Sequence, residues 1–364
     1  CEASKNGHLI TAVELAELAG LSTGVVTTTS ITHATPGATY AHTPERRWED
    51  DSDMPEPAKA MGCRDIAQQF VDFGVGDGIE VVLGGGRQHF LPNIVNDPEY
   101  GEWYGARLDK RNLISEWQKK SPENNYVWNK TQLDALDLKK TKHVLGLFEP
   151  DPMRYESERS KDPAGEPSLA EMTRTAITVL KNNPNGFLLM VEGGRIDQAH
   201  HAGNAFRALN ETVSFSDAIR TAMNMTSDKD TLIIVTADHS HTMTFAGYPV
   251  RGNPILGKVV GSSGEDGPSG YALDALGLPY TTLSYANGPG YTGASDQQKE
   301  GIKKFPHQVS GVKKSSGRPD LNEIDTEDPD FMQEAGIPFK SESHSGEDVG
   351  IWARGPGANA VHGT

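Results

Sequence analysis

The sequence predicts an α/β fold: a central, mostly parallel sheet flanked by helices, with a small accessory insert. Three observations predict it. Short apolar runs of strand length alternate with longer segments whose apolar residues recur at helical spacing, the pattern of βαβ units. Several of these runs end in carboxylates and imidazoles, at the strand ends where open α/β sheets collect their functional groups. From about residue 251 to residue 339 the texture changes, and Gly, Pro, Ser and charged residues displace the periodicity.

Each element has a local reason. Residues 8–19 carry Leu9, Val13 and Ala16 at helical spacing, and Gly20 is a stop. Residues 24–29 read as a buried strand. Residues 64–73 form a helix on the pattern of Ile66, Ala67, Phe70 and Val71. Residues 80–83 are a short strand closed by Gly84-Gly85-Gly86, a triplet without the Gly-x-Gly-x-x-Gly spacing of a dinucleotide site. Ser168 and Glu171 make a capping box. The helix behind it places Leu169, Met172, Ile177 and Leu180 on one side, and Pro184 lies beyond its end. Residues 187–191 are a strand, a long helix follows through Met223, and residues 232–236 are another strand. Tyr271, Leu273, Leu276, Leu278, Tyr280, Leu283 and Tyr285 give the following stretch a core of its own, which favours an accessory domain over a disordered insert. The chain returns to the sheet at residues 349–353. The expected division is a core of residues 1–250 and 340–364 and an insert of residues 251–339.

At 364 residues the chain can bury a full core. Its net charge of −16 argues against non-specific nucleic-acid binding, which needs a basic face. Any anionic substrate must then be drawn in by local positive charge. No apolar run approaches the roughly 18 residues of a membrane-spanning helix. The two cysteines, Cys1 and Cys63, leave open two free thiols or one bridge closing a long loop. The chain opens at Cys1 with no signal peptide and stops at Thr364, so a piece of a longer protein, cut at both ends, is expected.

The chemistry concentrates in three segments. Asp197 and His201 are four apart, one turn on a helix face, close enough to share an ion. Glu192 leaves its strand into Gly193-Gly194, where backbone can approach a ligand. Asp238 and His239 follow a second buried strand, and His344 stands at the edge of a third. Carboxylates with imidazoles are a donor set that zinc takes in catalytic sites. Adjacent Asp238 and His239 point apart on a straight strand and converge on one ion only where the strand breaks. His200 and His241 read either as residues that orient ligands or face substrate, or as structural histidines. Thr35, in the polar loop 32–42, can join Glu192 in the hard oxygen set that suits magnesium. Arg46 is a surface salt bridge by default; near metal ions it would clamp two phosphate oxygens. Together these residues predict a multi-metal hydrolase.

The segments Thr32-His33-Ala34-Thr35-Pro36, Val191-Glu192-Gly193-Gly194-Arg195-Ile196-Asp197, Val235-Thr236-Ala237-Asp238-His239-Ser240-His241 and His344-Ser345-Gly346-Glu347-Asp348-Val349 closely resemble the alkaline phosphatase family, in its animal and marine-bacterial branch. The resemblance implies the following. Asp197, His201 and His344 hold a first Zn2+, and Asp238 and His239 a second. Thr35 and Glu192 ligate Mg2+, with His33 near it through water. Arg46 grips the substrate phosphate. Cys1 and Cys63 match a disulfide. Residues from about Arg251 match the crown domain beside a homodimer interface. A Ca2+-type fourth site falls at Glu99, Phe148, Glu149 and Glu166, although residues 157–167 depart from the family in length and composition. Phosphate monoesters are the implied substrates, hydrolysed through a phosphoserine, and the implied location is periplasmic or secreted.

One departure matters. The family's nucleophilic serine sits in an Asp-Ser pair upstream of the segment matching Cys1, as does a metal-ligating aspartate. Asp51-Ser52 does not match that pair, so no nucleophile is assigned. The 364-residue chain alone is expected to be nearly inactive. The rival expectations are a non-catalytic metal- or phosphate-binding relative, or a phosphodiesterase or sulfatase of the same superfamily.

Overall fold

The computed structural model describes residues 9–261 and 270–361. The chain divides into two compact units. The first runs to Arg195 and includes Val213–Thr226; the second comprises Ile196–Thr212 and the residues from Ser227 onward.

The first unit is an α/β sheet domain. Its helices are α1 (Ala12–Leu18), α2 (Ala34–Gly37), α3 (Glu56–Ala60), α4 (Ile66–Val71), α5 (Leu113–Lys120), α6 (Lys130–Asp134) and α7 (Leu169–Leu180). Its strands are β1 (Ser22–Ser30), β2 (Val81–Gly85), β3 (Asn124–Val127), β4 (His143–Leu147) and β5 (Phe187–Glu192), in the order β3-β4-β2-β1-β5. Every pairing in this sheet is parallel. The alternation of strand side chains distributes the core to both faces. Val82, Leu145 and Leu147 join Val13, Ile66, Phe70 and Trp117 in one cluster. Val26, Val81, Leu83 and Val144 join Leu169, Met172, Ala176 and Leu180 in another. Burying such side chains contributes roughly 1.5–3 kcal/mol each before the entropy of ordering them is set against it.

Local chemistry sets the ends. The Ser168–Glu171 capping box forms as predicted, and an unforeseen one, Thr11 with Glu14, starts α1. Gly24 lets α7 settle on β1, because a Cβ there would stand 2.9 Å from the side chains of both Leu180 and Leu189.

The second unit contains α8 (Arg195–His201, from Ile196 onward), the first part of α9 (Ala205–Met225) and short strands: β6 (Ile233–Val235), β7 (Ser240–His241), β8 (Met243–Phe245), β9 (Leu283–Gly288), β10 (Ala335–Pro338), β11 (His344–Ser345) and β12 (Trp352–Arg354). They form a three-stranded sheet β10-β9-β8 and the antiparallel pairs β7–β11 and β6–β12.

The structure corrects several sequence expectations. The single long helix to Met223 is two helices. Gly203, at φ +66°, ends α8. Asn204 then starts α9 by accepting the Arg207 N–H at 2.8 Å. Ile233–Val235 pairs antiparallel with Trp352–Arg354, so the expected strand at 349–353 lies a few residues later. Strands β3 and β4 were not anticipated, since β3 is only half-buried and lacks an apolar run. Among the named residues of the insert, Leu283 and Tyr285 are buried, but Leu276 lies in solvent.

Candidate metal centre

The second unit gathers the predicted ligands. Helix α8 carries Asp197 and His201 one turn apart, with the Asp197 Oδ1 to His201 Nε2 distance 3.3 Å. Beyond the end of β6 come Asp238 and His239, whose carboxylate and imidazole lie 3.2 Å apart. The break of the strand after Val235 permits this convergence of neighbours. Strands β7 and β11 set His241 directly opposite His344. That register carries His344 Nε2 to 3.4 Å from Asp197 Oδ1 and 3.2 Å from His201 Nε2.

These separations have a chemical meaning. Ligand atoms about 2.0–2.1 Å from a tetrahedral zinc ion lie about 3.3 Å from one another. Asp197, His201 and His344 form a near-equilateral triangle of that size, with edges of 3.3, 3.4 and 3.2 Å. Asp197 Oδ1 is also buried, with the Nε2 atoms of His201, His239, His241 and His344 3.0–3.8 Å away. The donor set fits zinc. His239 stacks on His344 at 3.4 Å between ring centres, with its Nε2 3.8 Å from Asp197 Oδ1.

His241 stands inside the same group of possible ligands. Its Nδ1 lies 2.6 Å from Glu342 Oε2 and its Nε2 3.0 Å from Asp197 Oδ1. Burial lowers its pKa, but hydrogen bonds to these two carboxylates outweigh burial and bring it up to about 9. With both ring nitrogens facing carboxylates, His241 acts as a donor that aims Asp197 rather than as a ligand. Burial raises the Asp197 carboxyl, while His241 and the surrounding imidazoles bring it down to about 2. Glu342 also accepts from the Thr242 hydroxyl at 2.7 Å, and its backbone carbonyl accepts from His201 Nδ1 at 2.5 Å, which fixes that ring too. His200 turns away to the Tyr285 hydroxyl at 2.8 Å and stacks on His241, and burial brings its pKa down to about 4. Sequence reasoning assigned Glu342 no role. The signal was its place two residues before His344, the same side of an extended chain.

The first unit holds the other predicted residues. Arg46 is exposed, and its Nη2 lies 3.4 Å from His33 Nε2; His33 Nδ1 is buried without a hydrogen-bond partner. Glu192 sits opposite Thr27 in the β1–β5 register. Its carboxylate accepts from Thr27 Oγ1 at 2.5 Å and Thr29 Oγ1 at 3.3 Å. Thr35 is exposed on α2, and no direct bond joins it to Glu192 among the described residues. Gly194 must be glycine here, since a Cβ would meet Thr29 Cγ2 at 2.4 Å. Cys63 is buried beside Met54 and Ala58, but the expected pairing with Cys1 involves a residue outside those described.

A second acidic cluster lies in the first unit. Glu99, Glu149 and Asp162 each offer an oxygen within 4.8 Å of the others. Glu99 is pushed up to about 7 by burial, by contact with the Asp162 carboxyl and by repulsion from Glu149. Glu149 is pushed up to about 7, chiefly by burial. Glu166 lies outside this group; both its oxygens accept the Arg154 backbone N–H, at 3.1 and 3.3 Å. Burial and the charge of Glu149 push Glu166 up to about 9.

A profile of the family described as alkaline phosphatase matches residues 3–364. The chain is 40% identical over 369 residues to the tissue-nonspecific isozyme of alkaline phosphatase from Gallus gallus, covering 100% of this chain and 64% of that protein. It is 41% identical over 363 residues to alkaline phosphatase from Gadus morhua, covering 98% of this chain and 69% of that one. A solved structure of a TAB5 alkaline phosphatase mutant with Mg bound in its M3 site shares the fold, at a TM-score of 0.55 and 21% identity over 95% of this chain and 69% of that chain. With the profile running from residue 3 to residue 364 and curated relatives at 40% identity and above, the chain belongs to the alkaline phosphatase family.

Proposed function

We propose that the chain is the metal- and phosphate-handling part of an alkaline phosphatase, a hydrolase of phosphate monoesters that works through a phosphoserine intermediate. The observation that carries this reading is the triangle of Asp197, His201 and His344 donor atoms at zinc-ligand spacing. In this reading those three hold one zinc ion and Asp238 and His239 hold a second. Thr35 and Glu192 hold magnesium, with His33 beside it. When bound, the ions supply Lewis acidity for the attacking and leaving oxygens of the phosphoryl group.

The chain's own residues prepare that site. His241 aims Asp197, and the Glu342 carbonyl aims His201. Arg46, exposed beside His33, offers a fork of N–H donors to two phosphate oxygens. Asp197 and Asp238 bring two negative charges against the four of two zinc ions, so the zinc pair stays positive on a chain of net charge −16. The chain spans 64% of the Gallus gallus relative's length, and the reading assigns the nucleophilic serine to the part of the whole protein outside these residues. The same reading takes residues 251–339 as a crown-like insert in a homodimer and pairs Cys1 with Cys63. It sends the protein to the periplasm or outside the cell, and it includes a calcium-type fourth ion.

The test measures zinc content and turnover of an aryl phosphate, a phosphodiester and an aryl sulfate, for the full-length protein and for the 364-residue chain. The expected result is zinc in both, preference for the aryl phosphate in the full-length protein, and almost no turnover by the chain alone. A zinc-loaded full-length protein that binds inorganic phosphate but turns over none of the three is a binding relative. Preference for the diester or the sulfate assigns a different activity of the superfamily.

A further inference from the structure

Two segments of the first unit meet twice. Near the surface, Arg46 Nη2 lies 3.4 Å from His33 Nε2. Next to this contact, the Thr32 hydroxyl donates to Glu49 Oε2 at 2.6 Å. Thr32 directly precedes His33 and is fully buried, and Glu49 follows shortly after Arg46. The second contact therefore clasps the loop that carries His33 and Thr35 to the turn that carries Arg46. The turn is also tied down along its backbone, since the Trp48 carbonyl accepts the Ile66 N–H at 2.8 Å and the Glu49 carbonyl accepts the Ala67 N–H at 3.1 Å.

A residue of a third segment holds the clasp. His89 belongs to the short helical turn Arg87–Phe90 that follows β2. Its Nε2 lies 3.4 Å from Glu49 Oε2 and its Nδ1 2.6 Å from Asp50 Oδ2. The side chains of His89 and Asp50 are 8% and 1% exposed, so water has little access to either. Burial lowers the His89 pKa, but the bond to Asp50 and the charges of Glu49, Asp50 and Asp151 outweigh burial and raise it. A buried network satisfied in this way is rigid. The His89 backbone is anchored too: its N–H donates to the Gly86 carbonyl at 3.1 Å, and its carbonyl accepts from Arg107 Nη1 at 3.2 Å. Arg46 itself is exposed, and a long exposed side chain loses rotamer freedom when it grips a ligand. Fixing the backbone around it lowers that cost.

We propose that His89 is a positioning residue for phosphate binding: by holding Glu49 it fixes Thr32, and so sets the separation of His33 and Arg46. The inference rests on the part of the proposed function that gives the substrate phosphate to Arg46.

The test measures KM and kcat for an aryl phosphate, and the inhibition constant of inorganic phosphate, on the full-length protein loaded with zinc and magnesium. The variants are His89→Phe, Thr32→Val, Thr32→Ser, Arg46→Ala and the double variant of Arg46→Ala with His89→Phe. In His89→Phe and Thr32→Val, KM and the phosphate constant should rise together by about ten-fold, with kcat changed by less than about three-fold. Thr32→Ser keeps the hydroxyl and should restore the wild-type constants. The double variant should bind phosphate as Arg46→Ala alone does, within about two-fold, because both changes act on one contact. Losses that multiply in the double variant overturn the proposal. So does a wild-type phosphate constant in Thr32→Val, a result that stands even where His89→Phe does not fold. An unchanged phosphate constant in Arg46→Ala defeats the functional reading of Arg46 and this inference with it. Weakened binding in Arg46→Ala beside wild-type constants in His89→Phe and Thr32→Val defeats this inference alone.

Discussion

His344 Nε2 lies 3.2 Å from His201 Nε2, although 143 positions separate the two residues in the chain. Two neutral imidazoles cannot both aim lone pairs at each other across that gap without repulsion, and Asp197 Oδ1 completes the triangle. A shared cation removes the repulsion. The antiparallel pairing of β7 with β11 and the single turn of α8 between Asp197 and His201 fix the geometry before any ion arrives.

Removal of one corner of the triangle should abolish tight zinc binding. His344→Ala and Asp197→Asn are expected to weaken zinc by more than about 100-fold, beyond the effect of losing a residue that only orients a ligand. Chelation should lower the melting temperature of the wild type, since an ion held at about 100 times its Kd stabilises by about 2.7 kcal/mol. The variants should melt at the same temperature with and without chelator, which differential scanning calorimetry reads directly.

His241 contributes by orientation. His241→Gln removes the donors aimed at Asp197 and Glu342 and should weaken zinc about 10–100-fold without abolishing it. The Glu342 side chain, 0% exposed, loses one donor and keeps Thr242, so stability should fall by roughly 1–3 kcal/mol. Zinc competition against a chromophoric chelator and urea unfolding measure the two effects separately.

A pH effect on stability should come from far outside the metal centre. Glu17 is buried beside Thr23, with its Oε1 2.5 Å from the Thr23 hydroxyl. Burial first, and then the charges of Glu80 and Asp77, push its carboxyl from its ordinary 4.5 up to about 7. The folded state therefore holds a proton that the unfolded chain has released between these values. The contribution is full below about pH 4.5 and is lost as pH rises to about 7. Glu17→Gln should flatten this fall and exceed the wild type at pH 8 by on the order of 1–3 kcal/mol, as urea unfolding at several pH values would show.

The cap of α7 makes a simple stability prediction. Ser168 accepts from the Glu171 N–H at 3.2 Å, and the Glu171 carboxylate answers the Ser168 N–H at 2.8 Å. Ser168→Ala should cost about 1 kcal/mol in chemical unfolding, with metal binding unchanged.

Much of this was legible in the sequence for identifiable reasons. Strands β1, β2 and β5 carry continuous apolar or β-branched runs, and α7 announces itself by Ser168 and Glu171. The neighbouring pairs Asp197/His201 and Asp238/His239 were readable because local spacing alone brings them together. Strand β3 was hidden, because Asn124, Asn125 and Tyr126 are half-buried and show no apolar period. The break at Gly203 was hidden inside an otherwise helical pattern. Glu342 was missed because its contact with His241 is distant in sequence. No period or spacing marks such a contact.

The central claim, that Asp197, His201 and His344 form a zinc site, is tested most directly by an anomalous-difference map at the zinc edge from crystals of the zinc-loaded chain. The account predicts a zinc peak about 2.0–2.2 Å from Asp197 Oδ1, His201 Nε2 and His344 Nε2. A map with no peak among those three atoms, from crystals in which the chain is folded and zinc is present, would contradict it.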